Sequence, residues 1–234
     1  MPQWKTQQLQ LLLEEREPQR LFDRALGLVQ DLDMTYLGLA LYLPIAAHPP
    51  QVVRYNNYPG EWNAHCQGGE ALREDPVVNR CHRTTMPVLW HDELYHEVPH
   101  LRETACSHGL CHGWTQSVHD LQHNETQLSV ARPQGAIDTA EFYEKAAQVL
   151  WLCNSLHALL CEYHLARLAP EPSLSDRELE VLKWSAAGKT ASDIACILSL
   201  STSTVNFHIR SVITKTNAAN KAGAIAIAAT RGLL

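Results

Sequence analysis

A chain of 234 residues with 45% apolar and 19% charged residues is long enough for one sizeable core and a smaller satellite, and its composition is that of an ordinary globular protein. Seven cysteines scattered from Cys66 to Cys196 do not read as a secreted disulfide framework, and charges throughout the first thirty residues (Lys5, Glu14, Glu15, Arg16, Glu17, Arg20) leave no apolar signal-peptide core. The net charge of −6 is uneven, with seven Lys/Arg against five Asp/Glu in residues 171–234 and twelve against twenty before them, and no run approaches the roughly 18 apolar residues of a membrane span.

The chain opens with an amphipathic stretch to about Glu15 and a second from about Pro18 to Leu32. Strand-like runs follow at Tyr36–Leu43, Val52–Tyr55, Pro87–Trp90, Gly113–Val118 and Thr126–Ala131. Short helical pieces fall near Glu61–Gln67, Asp75–Thr84 and Leu101–His108. Asp138–Leu168 places Phe142, Ala146, Val149, Leu150, Cys153, Leu156 and Leu160 at helical spacing, which predicts one long helix closing the first domain. Pro170 and Pro172 cannot continue that helix, so residues 169–174 read as a linker between a domain of residues 1–168 and one of residues 175–234. Helices at both ends around short strands predict an α+β domain, an α-β-α sandwich with an antiparallel sheet. A small all-α domain of four helices follows it.

In the second domain Ser175-x-x-Glu178 is a capping box, whose serine hydroxyl satisfies an orphan amide while the glutamate reaches back to the cap. Val181, Leu182 and Leu179 give that helix a buried side, and Gly188 stops it where a positive φ is needed. Thr190 caps a second helix through Leu198, and a turn at Ser199–Ser201 leads into a third, Thr202–Thr216. On the third helix Val205, Ile209, Val212 and Ile213 share an inward arc. The opposite arc carries Ser203, Phe207, Arg210 and Thr214, with Thr204, Asn206 and Ser211 at its margins. Small hydroxyl residues let a helix sit deep in a DNA major groove. There Arg210 can reach guanine or phosphate, Asn206 can pair with adenine and Phe207 can touch a thymine methyl, while the amphipathic pattern alone also fits an ordinary small helical domain.

The segment from Leu174-Ser-Asp-Arg-Glu-Leu-Glu-Val-Leu182 through Gly188-Lys-Thr, Ile194-Ala and Ser203-Thr-Val-Asn-Phe-His208 resembles the LuxR-type helix-turn-helix over about sixty residues. The final stretch, Asn220–Thr230 followed by Gly-Leu-Leu, fits the same pattern, and Thr216 departs from it where a leucine usually follows the lysine. The resemblance makes Glu178, Leu182 and Gly188 scaffold positions. It makes Lys189, Ser203, Thr204, Asn206, Phe207 and Arg210 the DNA-facing set.

The first domain resembles the acyl-homoserine-lactone-binding domain of quorum-sensing LuxR regulators, in a layout similar to the Pseudomonas-type members. The carrying residues are Asn57-Tyr-Pro-Gly-Glu-Trp62, Asp75-Pro-Val-Val78, Trp90, Gly113-Trp114 and Leu128-Ser-Val-Ala-Arg132. Such a lactone has a polar head with one amide donor and two carbonyl acceptors, followed by a fatty tail. The resemblance implies that Trp62 donates its indole N–H to the lactone carbonyl and that Asp75 accepts the amide N–H. It also implies that Ser129 bonds the acyl carbonyl and that Trp90 covers the lactone ring. Two positions depart from the pattern: Cys66 stands in place of a tyrosine that helps hold the acyl carbonyl, and Arg102 in place of an aromatic residue at the lactone end. They open an alternative, an orphan regulator whose sensor domain ignores lactones and is independent of ligand or answers another small molecule or a protein partner.

Nine of the thirteen histidines lie between His65 and His123, and Cys106, His108, Cys111 and His112 cluster in sequence. Their spacing fits no regular metal motif and spans the turn from a helix into a strand, so no metal site is expected. His65-Cys66 and Cys81-His82 are sequence neighbours whose side chains diverge on a helix, and no glycine-rich phosphate loop is present, so no catalytic residue and no enzyme activity are expected. The expectation is a cytoplasmic transcription regulator that needs no cofactor. Its partners are double-stranded DNA at a two-fold symmetric promoter site, a second copy of itself in a homodimer, and a diffusible autoinducer, with no role at a membrane.

Overall fold

The computed structural model describes residues 4–45, 48–67, 69–167, 174–230 and 232–234. Of the described residues, those within 4–43, 51–120 and 124–167 form one compact unit, and those within 174–234, together with those within 44–50 and 121–123, form another. Most of the expected linker, residues 169–173, lies outside the described residues.

The first unit begins with α1 (Thr6–Glu14) and α2 (Pro18–Gln30). Glu17 caps α2 by accepting from the backbone N–H groups of Gln19 and Arg20, and Pro18 occupies the first turn, where no amide is needed. Five strands follow: β1 (Tyr36–Ile45), β2 (His48–Asn56), β3 (Val88–Leu89), β4 (His112–His119) and β5 (Glu125–Arg132), in the spatial order β2-β1-β5-β4-β3. The pairs β1·β5, β5·β4 and β4·β3 are antiparallel. Between β2 and β3 lie α3 (Gly60–Cys66), α4 (Glu70–Glu74) and α5 (Pro76–Cys81). Between β3 and β4 lie a short 3-10 turn at Asp92–Tyr95 and α6 (Pro99–Ser107). The unit closes on α7 (Thr139–Leu165), capped by Asp138 through the Glu141 amide.

Alternation along the strands sorts side chains between two layers. Leu37, Leu39, Leu41 and Leu43 of β1 are fully or nearly fully buried, as are Leu128 and Val130 of β5. Thr126 of β5 bonds His157 of α7, and Trp114 of β4 packs edge-on against Phe142 of α7, so this face carries α7. Burying each large aliphatic side chain contributes about 1.5–3 kcal/mol, which makes this layer the main core. The opposite face presents Gly38, Thr115, Gln127 and Ser129 to α3, α5 and α6, and its small or polar residues leave room for a cavity.

Among the described residues the second unit comprises α8 (Asp176–Ala186), α9 (Ala191–Leu198), α10 (Thr202–Thr216) and α11 (Lys221–Thr230), the four helices expected. Capping boxes open α8 (Ser175/Glu178) and α9 (Thr190/Asp193), and Ser201 caps α10. Gly188 adopts φ +80°, the left-handed conformation in which a side chain would be strained. Val181, Ile194, Ala195 and Val205 form one small core, and Leu182, Val212, Ala224 and Ala228 a second. Among the described residues no helix is long and apolar enough to cross a membrane.

Candidate ligand cavity and DNA-reading helix

Register builds the floor of the cavity. Gly38 on β1 lies opposite Ser129 on β5, which lies opposite Thr115 on β4, so the three stand in one row across the sheet. A hydroxyl relay runs along it: the Trp90 indole N–H donates to Thr115 Oγ1 (3.0 Å), and Thr115 Oγ1 lies 2.8 Å from Ser129 Oγ. The Tyr58 hydroxyl continues the relay by bonding Ser129. Gly38 makes this possible, because a Cβ there would overlap the Tyr58 hydroxyl. Complete burial pushes the Tyr58 phenol well above its ordinary value, so it is a neutral hydroxyl.

The walls come from the short helices. α3 brings in Trp62, only 8% exposed, and Cys66 one turn later. Trp62 packs against His65 and His108 at ring distances of 5.7 and 6.0 Å, and no described residue accepts its indole N–H. Asp75 caps α5 by accepting from Val77 N at 2.8 Å and turns its remaining surface to the cavity. Burial pushes its carboxyl up to about 6, against the smaller pull of the Val77 and Val78 amides. Apolar sides from Val77, Val78, Leu101 and Leu110 line a partly open cavity of about 130 Å3. One water needs roughly 10–15 Å3 by the same measure, so the space suits a small molecule with a polar head.

Of the six residues expected at the ligand, Trp62, Cys66, Asp75, Trp90 and Ser129 line this one cavity. Arg102 does not. It lies 5.6 Å from the Tyr95 ring centroid and its Nε donates to Asp92 Oδ1 at 3.2 Å, so the cation stays outside the enclosure and Tyr95 takes the lining position. The guanidinium is largely buried beside Tyr95, with Nη1 lacking a hydrogen-bond partner among the described residues. Tyr58 and Thr115 escaped the sequence reading. Tyr58 was visible only as an aromatic residue inside Asn57-Tyr-Pro-Gly, and Thr115 needs the strand register.

On α10 the outward set is exposed as expected. Ser203, Asn206, Phe207 and Arg210 face solvent, Thr204 is half-buried, and Phe207 keeps 64% of its surface open. Lys189 is exposed just ahead of α9. Behind this surface Glu178 is buried and holds α10 in place: Ser211 Oγ donates to it at 2.6 Å and Lys215 Nζ at 2.7 Å, while Ser175 N donates at 2.7 Å. Burial acts to raise its carboxyl, but these bonds outweigh it and hold the group at about 2. Leu182 is buried in the core beneath α10 and α11. The departure at Thr216 is accommodated because its hydroxyl donates to Val212 O at 2.7 Å.

Residues 17–160 match the family model described as an autoinducer binding domain, and residues 172–228 match that of the bacterial regulatory proteins of the luxR family. The transcriptional activator protein SolR of Ralstonia nicotianae is 32% identical over 94% of both chains. The regulatory protein SdiA of Escherichia coli is 35% identical over 88% of this chain and 86% of its own. A crystal structure of SdiA superposes with a TM-score of 0.80 at 30% identity, covering 97% of this chain and 96% of that one. SdiA in complex with octanoyl-rac-glycerol superposes at 0.79 with 31% identity, covering 99% and 98%. These relatives are regulators, not enzymes, and they support a sensor that takes a small molecule over one that ignores ligands.

Proposed function

The chain belongs to the luxR family of bacterial regulatory proteins, and from that premise we propose that its cavity binds an N-acyl homoserine lactone and that α10 reads DNA. It is a DNA-binding transcription regulator with an autoinducer-binding sensor domain. Residues 1–168 form the sensor, 169–174 the linker and 175–234 the DNA reader, working in the cytoplasm as a homodimer on a two-fold symmetric promoter site.

The observation that carries the ligand reading is that Trp62 and Asp75 line one cavity: an indole N–H with no acceptor among the described residues and a carboxylate whose hydrogen-bond partner is the Val77 amide. A lactone head supplies the complements of both. Trp62 donates to the ring carbonyl, Asp75 accepts the amide N–H, and the Tyr58–Ser129 hydroxyls meet the acyl carbonyl that a tyrosine in place of Cys66 would otherwise help hold. Trp90 covers the ring, and the acyl tail runs along the apolar wall. An octanoyl glycerol ester, the molecule bound in one SdiA structure, lacks the amide N–H, so only its glycerol hydroxyls could donate to Asp75.

Thermal unfolding of the full-length protein with lactones of short, medium and long acyl chains tests this. A saturating lactone at about a hundred times its Kd should add about 2.7 kcal/mol to native-state stability, seen as a raised Tm. Trp62→Phe should diminish that rise. Stabilisation by octanoyl glycerol alone, or by no member of the panel, would overturn the lactone reading.

A further inference from the structure

On the face of the sheet opposite the cavity, three metal-ligating groups of different chemistry converge. His157 and Cys161 lie one turn apart on α7, and Asp120 follows β4 directly. His157 Nε2 is 3.4 Å from Asp120 Oδ2, Cys161 Sγ is 3.9 Å from His157 Nε2, and all three ligand atoms lie within 4.8 Å of one another. A tetrahedral zinc ion with ordinary bond lengths requires edges of about 3.3 Å between nitrogen and oxygen and about 3.6 Å between nitrogen and sulfur. The cluster is therefore close to the size of a coordination shell.

Its surroundings also orient the ligands. His157 Nδ1 lies 2.8 Å from the buried Thr126 hydroxyl, and in the tautomer with its proton on Nδ1 that oxygen accepts it and Nε2 is left free to ligate a metal. Metal-bound histidines are held in this way by an oxygen acceptor on their other nitrogen. The Asp120 carboxylate is positioned by Asn124, whose backbone N and Nδ2 donate to it at 2.8 and 2.7 Å. His157 and Cys161 are 7% and 6% exposed, so an imidazole and a thiol have been placed side by side away from solvent.

We propose that Asp120, His157 and Cys161 bind a divalent metal of zinc-like softness, with water as the fourth ligand. The sulfur sits almost equally far from both ring nitrogens, at 3.7 and 3.9 Å, and binding would swing it towards Nε2 to meet a metal on the Nε2 lone-pair axis. The thiol releases its proton to solvent as the sulfur–metal bond forms. A bound ion would tie the end of β4 to α7, so metal stabilises the sensor domain independently of the lactone cavity.

Chelator-treated full-length protein titrated with cobalt(II) should take up a single ion with a near-ultraviolet thiolate-to-cobalt band, and zinc(II) should displace it. Cys161→Ser should abolish the band, and Asp120→Asn should keep it while weakening zinc binding roughly tenfold or more. Paired Cys106→Ser and Cys111→Ser substitutions should change neither. If Cys161→Ser does not fold, Thr126→Val keeps every ligand, and its zinc affinity should still fall. The proposal is overturned if wild type gives no band, if the band survives Cys161→Ser, or if it disappears with the Cys106/Cys111 pair.

Discussion

The hydroxyl of Tyr58 occupies the space that a side chain on Gly38 would need, so a glycine on β1 sets the position of a polar group on the cavity floor. Gly38→Ala forces the phenol aside and breaks its bond to Ser129. The protein should still fold, because the α7 face of β1 is untouched. Lactone affinity should fall about tenfold, since a lost hydrogen bond of about 1 kcal/mol is joined by displacement of the ring. Calorimetric titration checks this. Wild-type affinity in Gly38→Ala would remove the Tyr58–Ser129 pair from the ligand contacts.

Asp75 should make lactone binding depend on pH. Its carboxyl is raised to about 6 by burial, and only the ionised form is a full acceptor for the ligand amide. Affinity should drop about tenfold from pH 8 to pH 5 and become flat with pH in Asp75→Asn. The sign for the empty protein is opposite. A carboxyl raised on folding favours the native state when protonated, so stability declines as pH rises from the ordinary value of 3.8 towards 6. The cost at neutral pH is at most about 3 kcal/mol. Ligand-free unfolding curves that ignore pH across this window would argue against a buried, titrating Asp75.

The helix-turn-helix was legible because its signals are local. The Ser175/Glu178 box, Gly188 and the Thr190 cap each mark a helix end within a few residues of sequence. In the sensor unit, α4 has no cap signal, since Gly69 precedes it in a left-handed conformation, and the turn at Asp92–Tyr95 is too short for a periodic pattern. Strand β2 begins at His48, earlier than the Val52–Tyr55 run implied, because its place at the sheet edge tolerates Pro49 and Pro50. The cavity residues named from sequence came from the family resemblance, whereas Thr115 needs the cross-strand register. Arg102 is not among the residues lining the cavity, and its contact with Asp92, ten residues earlier, is one that sequence does not reveal.

Glu178 should govern the acid stability of the DNA-reading unit. Its carboxyl is held at about 2 against an ordinary 4.5, so its contribution is complete above 4.5 and disappears as pH falls towards 2. That contribution is about 3 kcal/mol, and Glu178→Gln should forfeit most of it at neutral pH while flattening the acid limb of the unfolding curve. Since Ser211 and Lys215 both sit on α10, operator binding should weaken as well. An unchanged acid limb in Glu178→Gln would assign the acid sensitivity to other carboxylates.

Arg210 is exposed on α10, and its Nε donates back to Asn206 O at 3.3 Å, so the side chain lies along the same outward arc as Ser203 and Phe207. Arg210→Ala removes no buried contact and should leave thermal stability within about 0.5 kcal/mol. If the guanidinium meets a phosphate, affinity falls for all sequences and the salt slope decreases by about 0.9. A guanine contact instead costs about 1–3 kcal/mol and relaxes specificity at one base pair. Binding titrations at several salt concentrations, on the operator and on a single-base variant, separate these two outcomes. Unchanged affinity at matched salt would place Arg210 outside the DNA contact and move the reading surface towards Lys189.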